Sequence, residues 1–231
     1  MNEPEAYPEF YRQLDFFDPV VHAPKITVVG AGGIGSWTVV LLAKMGLKRI
    51  TVYDDDDVAP HNLATTCYEP RHLGMPKVEA LRDVVKRMTG LAISIRSHRF
   101  RRLNKAADIL VSAVDSAETR RMLLAVAHEN HVPYYVDGRI GGENIRVYAL
   151  RPASAQERDD YMDSLPAPGF ASDLSCTGQQ VIDVGLITAS VMVRAIRQYL
   201  SEHLYNFEII GKIGEFEWIV SDFIHCGKED R

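Results

Sequence analysis

The run Gly30-Ala31-Gly32-Gly33-Ile34-Gly35 constrains the fold more than any other part of this chain. It follows a β-branched segment, residues 25–30 (KITVVG), and opens an apolar segment, residues 36–45, that Gly46 closes. A strand that turns into a helix through G-x-G-x-x-G belongs to a βαβ unit. Gly30 permits the tight turn, Gly32 lets backbone approach a phosphate, and Gly35 lets the helix pack against the strand. The helix N-terminus adds unpaired N–H groups and a positive dipole end, so the loop, Gly33 included, is a natural anion cradle.

The segments that follow extend the unit. Residues 49–53 (RITVY) read as a second strand delivering Asp54, where a carboxylate can accept hydrogen bonds from ribose hydroxyls. Residues 77–88 carry apolar positions at helical spacing, and residues 91–96 alternate as a third strand. Residues 108–114 (DILVSAV) read as a buried strand ending at Asp115. Residues 119–130 read as a helix and 133–136 as a fifth strand. Strands alternating with helices imply right-handed crossovers and an α/β, Rossmann-like, doubly wound sheet that is mostly parallel. Residues 144–150 (NIRVYAL) are expected antiparallel at the sheet edge, residues 151–176 as an irregular loop, 181–200 as a long apolar helix, and 205–223 as a hairpin around residues 211–214. The expected organisation is an N-terminal segment (1–24), a nucleotide-binding domain (25–204) and a C-terminal hairpin extension (205–231).

Charge and cysteine usage narrow the function classes. The 231 residues carry a net charge of −5, which argues against nucleic acid as the main partner. The one candidate basic stripe, Arg96, Arg99, Arg101 and Arg102, reads as a solvated strand end and loop. Cys67, Cys176 and Cys226 form no C-x-x-C pair, so no four-thiolate zinc site is available within one chain. No run reaches the ~18 apolar residues a membrane span needs. The first ten residues are acidic and proline-bearing, unlike a secretory leader. A cytoplasmic protein is the expectation.

Four adjacent carboxylates, Asp54 to Asp57, then Asn62 and the lysine of Gly74-Met75-Pro76-Lys77, set the chain apart from a nicotinamide dehydrogenase. Such a run makes sense beside a divalent cation and a few basic groups. With GAGGIGS at 30–36, D-x-D-x-V at 54–58, His61-Asn62-Leu63, G-x-P-K-V-E at 74–79 and Asp115 followed by Arg120, the chain resembles the ThiF/MoeB/HesA superfamily, bacterial relatives of ubiquitin-activating enzymes. The resemblance runs from about residue 11 to residue 200. It implies ATP- and Mg²⁺-dependent adenylation of the C-terminal carboxylate of a ubiquitin-like or sulfur-carrier protein ending in Gly-Gly. By resemblance, Asp54 and Asp56 lie in the nucleotide site, with Asp54 on the ribose. Asn62 and Lys77 contact the phosphates, and Asp115 helps hold the metal. Arg12, in Tyr11-Arg12-Gln13, is expected to reach the neighbouring subunit's site, which implies a homodimer or heterodimer.

Two departures stand out. Family members carry N-L-x-R-Q, whereas Thr65 and Thr66 replace the arginine and glutamine here, so one phosphate-binding charge is missing. Arg71, Arg120 and Arg139 are the candidates to replace it. The pair of C-x-x-C zinc motifs is also absent. Some relatives pass the acyl group to a cysteine, and Cys176, ahead of the long helix, occupies the corresponding place; a buried thiol is the alternative reading. His61 and His72 read as packing or surface residues, since an ionised carboxylate needs no general base. Specificity is expected from residues 151–176 and 205–223. A catalytically silent subunit and adenylation of a non-protein substrate are the alternative functions.

Overall fold

The computed structural model of the chain describes residues 8–167 and 181–226. Its first half alternates as expected: β1 (Ile26–Val29), α1 (Gly35–Lys44), β2 (Ile50–Tyr53), α2 (Lys77–Thr89), β3 (Ser94–Arg96), β4 (Ile109–Ser112), α3 (Ala117–Glu129) and β5 (Tyr134–Gly141). These five strands run parallel in the order β3-β2-β1-β4-β5, with Ile26 in register with Ile50 on one side and Ile109 on the other. Every residue of β1 and β4 is buried, as parallel strands covered on both faces require.

The second half adds β6 (Asn144–Leu150), α4 (Ala155–Asp163), α5 (Ile182–Glu202), β7 (Leu204–Asn206), β8 (Glu208–Lys212), β9 (Glu217–Val220) and β10 (Phe223–His225). β6, β8 and β9 pair antiparallel beyond β5 and complete an eight-stranded sheet, while β7 and β10 form a separate antiparallel pair. The fold is therefore α/β, mostly parallel, with antiparallel edge strands and a C-terminal hairpin.

Three expectations change in detail. β6 lies inside the sheet rather than at its edge, because the β8–β9 hairpin pairs with it from Tyr148↔Glu208 to Asn144↔Lys212. The edge is β9. The fifth strand does not stop at Val136 but runs on to Gly141, where its antiparallel pairing with β6 extends it past the parallel core. The stretch 151–176 contains α4, which opens on a capping pattern, Ser154-Ala155-Gln156-Glu157. Ser154 Oγ accepts from the Glu157 N–H at 3.3 Å, while the buried Glu157 carboxylate turns back to the Arg151 N–H and the Tyr205 hydroxyl.

Strand alternation sends side chains to two layers. Ile26, Val28, Ile50, Val52, Ile109 and Val111 belong to the core that holds α1, α2 and α5. Val29, Tyr53, Leu110 and Tyr135 face the other way, into a smaller core with Leu123, Leu124 and Ala127 of α3 and Tyr161 of α4. Between the layers, the carboxyl ends of β1, β2 and β4 deliver Gly30, Asp54 and Asp115 to one edge of the molecule. None of the described helices is long and apolar enough to cross a membrane.

Candidate active site

The glycine loop is shaped by packing at its ends and left open in its middle. Gly30 has φ +97°, and a Cβ there would lie 2.4 Å from the Ala113 carbonyl oxygen; a Cβ on Gly35 would lie 2.0 Å from the Gly30 carbonyl oxygen. Both positions therefore demand glycine for the turn itself. Gly32 differs, since a Cβ there would meet no protein atom within 4 Å. Its lack of a side chain answers to something outside the protein's own packing, which fits close approach by a phosphate. Gly33 and Ile34 complete the turn, and α1 starts on Ile34 with no side-chain cap. The Ser36 N–H donates to the Gly32 carbonyl at 3.0 Å, so the donors left for an anion are those ahead of it in the loop. The buried Tyr68 hydroxyl donates to the Ala31 carbonyl and braces the loop from outside.

Asp54 is fastened to this loop. One carboxylate oxygen accepts from the Ala31 N–H at 2.7 Å and the other from the Asp56 N–H at 2.9 Å. Burial raises its pKa above the ordinary carboxylate value, while Lys77 and the two N–H groups act in the opposite direction and offset only part of the rise. Lys77 opens α2, again without a side-chain cap, and is buried. A cation at a helix N-terminus is opposed by the helix dipole. Asp56 compensates by accepting from Lys77 Nζ at 2.6 Å, and the Lys77 N–H donates to the Asp56 carbonyl at 2.9 Å. Lys77 and the glycine loop ahead of α1 together suit a polyphosphate, whereas at the start of α2 the Lys77 and Glu79 N–H groups are already taken by the Asp56 and Pro76 carbonyls. Asp56 contributes by holding Lys77 in place.

Asn62 sits in a short 3-10 turn, Pro60–Asn62, where its Oδ1 accepts from the Ala59 N–H at 2.9 Å. That bond orients the amide, and its Nδ2 has no partner among the described residues. Asp115 follows β4, is exposed, and makes no hydrogen bond or ion pair among the described residues. No group of three or more His, Cys, Asp or Glu able to hold a metal ion occurs among them. A lone free carboxylate fits Mg²⁺ nonetheless, because that ion takes one or two carboxylates and completes its shell with phosphate oxygens and water.

The arginines considered as replacements for the missing charge are all engaged. Arg71 pairs with Glu69 and Asp83. Arg120, buried in α3, donates to the Asp137 carboxylate and to the Val114 and Gly138 carbonyls. Arg139 holds the other oxygen of Asp137 at 2.7 Å and lies over the Tyr148 and Tyr161 rings. The Arg120–Asp137–Arg139 network ties the end of β4 to β5 and so fixes the base of Asp115. Asp137, fully buried, was not singled out from the sequence; its place after the apolar run Tyr134–Val136, in line with Asp54 and Asp115 after theirs, was the available signal. Thr66 is buried and donates to the Asn62 carbonyl at 2.7 Å, so it stiffens the Asn62 turn.

Two expected residues are not brought to this cluster. Arg12 is exposed on a 3-10 turn, Pro8–Gln13, which Gln13 Nε2 anchors to the Met45 carbonyl at 2.8 Å, beyond the far end of α1. At 1.5 Å per residue, α1 alone separates that end from the glycine loop by about 15 Å. Cys176 lies outside the described residues. Burial pushes the Cys67 thiol up to about 12, which leaves it protonated and unreactive at neutral pH. His61 is exposed, and His72 is buried between the Glu69 N–H and the Asp83 carboxylate.

An open glycine turn, two uncapped helix starts, a ribose-height carboxylate and a lysine on one sheet edge define a Rossmann-like nucleotide-binding protein. The chain belongs to the ThiF family, whose model matches residues 17–212. It is 28% identical over 126 residues to tRNA threonylcarbamoyladenosine dehydratase of Escherichia coli, a match covering 51% of this chain and 47% of that protein. It is 29% identical over 126 residues to ubiquitin-like modifier-activating enzyme 5 of Caenorhabditis elegans, covering 46% of this chain and 30% of that protein. These matches thus span about half, or less, of the curated relatives. Among solved structures, E. coli MccB with AMPCPP and MccA superposes with a TM-score of 0.73 at 15% identity, covering 99% of this chain and 75% of that one. PaaA does so with 0.73, also at 15% identity, covering 96% and 75%. At such identities the superpositions establish the fold.

Proposed function

We propose that the chain is an adenylyltransferase that activates the C-terminal carboxylate of a small ubiquitin-like or sulfur-carrier protein ending in Gly-Gly, with ATP and Mg²⁺. The observation that carries this reading is that Asp54 is fastened to the open glycine loop at Ala31 and has the Lys77 cation beside it. The activating-enzyme relative and the MccB complex with AMPCPP and MccA support it.

In this reading Asp54 holds the ribose hydroxyls, and the glycine loop and the Asn62 amide hold phosphate oxygens. Lys77 exchanges Asp56 for the α-phosphate. A carboxylate oxygen of the partner attacks the α-phosphorus, a new O–P bond forms, and the bond to the leaving pyrophosphate breaks. The product is an acyl-adenylate. Transfer of this kind depends on positioning and charge neutralisation more than on proton movement. Mg²⁺, held by Asp115 and the phosphates, would supply the remaining positive charge. Arg12, too far from its own site, serves the site of a second copy, so the active form is a dimer. Cys176 is the candidate thiol for a subsequent thioester. ATP–pyrophosphate exchange with candidate partners tests the reading. Partner-dependent exchange that Asp115→Ala abolishes supports it, and ATP binding without exchange against any partner sinks it.

One observation favours a second reading. With Thr65 and Thr66 in place of Arg-Gln, the three arginines considered as replacements, Arg71, Arg120 and Arg139, are all paired with carboxylates. A silent subunit of a heterodimer has that character. Exchange that appears only when a second, sister chain is added, and that survives Asp115→Ala in this one, would select it.

A further inference from the structure

We propose that the cleft on one face of β1, β2 and β3, beside the 97–108 crossover, is a docking groove for the phosphate backbone of a single-stranded nucleic acid, separate from the adenylation site. In the doubly wound pattern a helix between β3 and β4 would cover this face. Here the crossover, residues 97–108, contains no helix and covers the face only in part: Phe100 packs edge-on against Tyr53, while Thr51 is half-buried and Ser94 exposed. A cleft of about 380 Å³ remains between that crossover and the strands.

The cleft's chemistry is one-sided. Thr27, Thr51 and Ser94 stand in register across the three strands and turn a row of hydroxyls toward it. Lys25, Lys48 and Arg49 line one end, Lys105 the crossover side, and Arg96 the end nearest Asp54. Among the described residues no carboxylate lines it. Lys25, Lys48 and Lys105 have no ion-pair partner among the described residues, and Arg49 and Arg96 bond only to backbone carbonyls, of Ala23 at 3.3 Å and Ile95 at 2.8 Å. Asp108, at the end of the crossover, accepts from the Lys25 backbone N–H at 2.6 Å. Arg101 and Arg102, exposed on the same crossover, extend the positive surface.

A second cleft shows that this is no general property of the surface. It is lined by Arg71, Arg82 and Lys86, but also by Glu79 and Asp83, and so neutralises itself. Leaving five like charges together without counterions costs free energy through self-repulsion, and an anionic ligand removes that cost. Lysine, arginine, threonine, serine and asparagine are the groups that contact phosphate oxygens in nucleic-acid complexes. A protein partner would require an apolar centre. The cleft offers none, since Ile26, Ile50 and Tyr53 beneath it are at most 3% exposed. The net charge of −5 conceals this local excess.

The test is fluorescence anisotropy of a labelled oligothymidylate of about 20 nucleotides, without ATP, so that its outcome is independent of adenylation. The wild type should bind at low salt, with log K falling against log salt at a slope of about −3, as release of roughly four phosphate counterions predicts. The exposed triple variant Lys48→Glu, Arg49→Glu, Lys105→Glu should bind at least ten-fold more weakly with a flatter slope, and the corresponding Gln triple should fall between. Arg82→Glu with Lys86→Glu, in the other cleft, should stay within two-fold of wild type. Absence of wild-type binding, equal loss in both sets of variants, or displacement by polyglutamate of equal charge as readily as by oligonucleotide would overturn the proposal. A melting temperature near that of wild type certifies each variant as folded.

Discussion

The carboxyl ends of β1, β2 and β4 and the cleft over β1, β2 and β3 share two strands, yet they present opposite chemistry. The strand ends carry glycines, Asp54 and Asp115 around one compensated cation, Lys77. The face carries hydroxyls and five uncompensated cations. At the strand ends the cation Lys77 is answered by Asp56 at 2.6 Å, and the anion cradle resides in a local motif, the glycine loop. On the face, residues from 25 to 105 meet only because three strands and one crossover lie side by side. The lesson is that a chain of modest net negative charge can hold two anion sites, one made by backbone N–H groups and one by side chains.

The comparison can be broken at several points. Lys77→Ala should lower partner-dependent ATP–pyrophosphate exchange about 10²–10³-fold, as loss of a transition-state charge contact does, and leave oligonucleotide binding within two-fold. Equal loss of both would mean that the two sites are one. Asp137→Ala would strand the Arg120 guanidinium, which is 3% exposed, and removing one partner of a buried pair costs about 3–5 kcal/mol. Thermal unfolding should show the melting point falling on the order of 10 °C, with exchange impaired through Asp115 and the groove unaffected.

Smaller effects sharpen the picture. Arg12→Ala should reduce exchange about ten-fold, the size of effect expected on losing one charge-assisted contact. Mixing it with Lys77→Ala protein should restore activity to about a quarter of wild type if each site draws on both chains of a symmetric dimer; failure to complement would remove Arg12 from the site. Cys67→Ala should leave both exchange and any thioester intact, as expected of a thiol held near 12 by burial. The smallest effect concerns Asp54. Its raised pKa means that the folded chain holds this proton more tightly than the unfolded one. Its contribution to stability therefore falls as pH rises from the ordinary carboxylate range through the raised value. Melting curves of wild type against Asp54→Asn across acidic pH should show the wild type losing ground as pH increases.

Much of this was legible beforehand. The parallel strand order follows from alternating segments and right-handed crossovers, and the glycine loop announced both turn and helix. Less legible were elements whose signal is weak or shared. α4 has little apolar periodicity of its own, and only the Ser154–Glu157 pattern marks its start. β6 alternates as an edge strand does, and its interior place depends on a hairpin some sixty residues later. The Arg96–Arg102 cluster read as a solvated loop because Lys25, Lys48 and Arg49, which make it a groove, are far away in sequence.

By itself, then, the sequence determined the βαβ frame, the glycine turn and the placing of Asp54 and Asp115 after their strands, because those features depend on backbone sterics and period-two burial over a few residues. Tertiary structure alone decided that Lys77 is locked to Asp56, that Arg120 and Arg139 are spent on Asp137, and that scattered cations share one cleft. Those outcomes rest on contacts between residues far apart in the chain, and electrostatic interactions depend on distance in space and on burial, neither of which a one-dimensional pattern records.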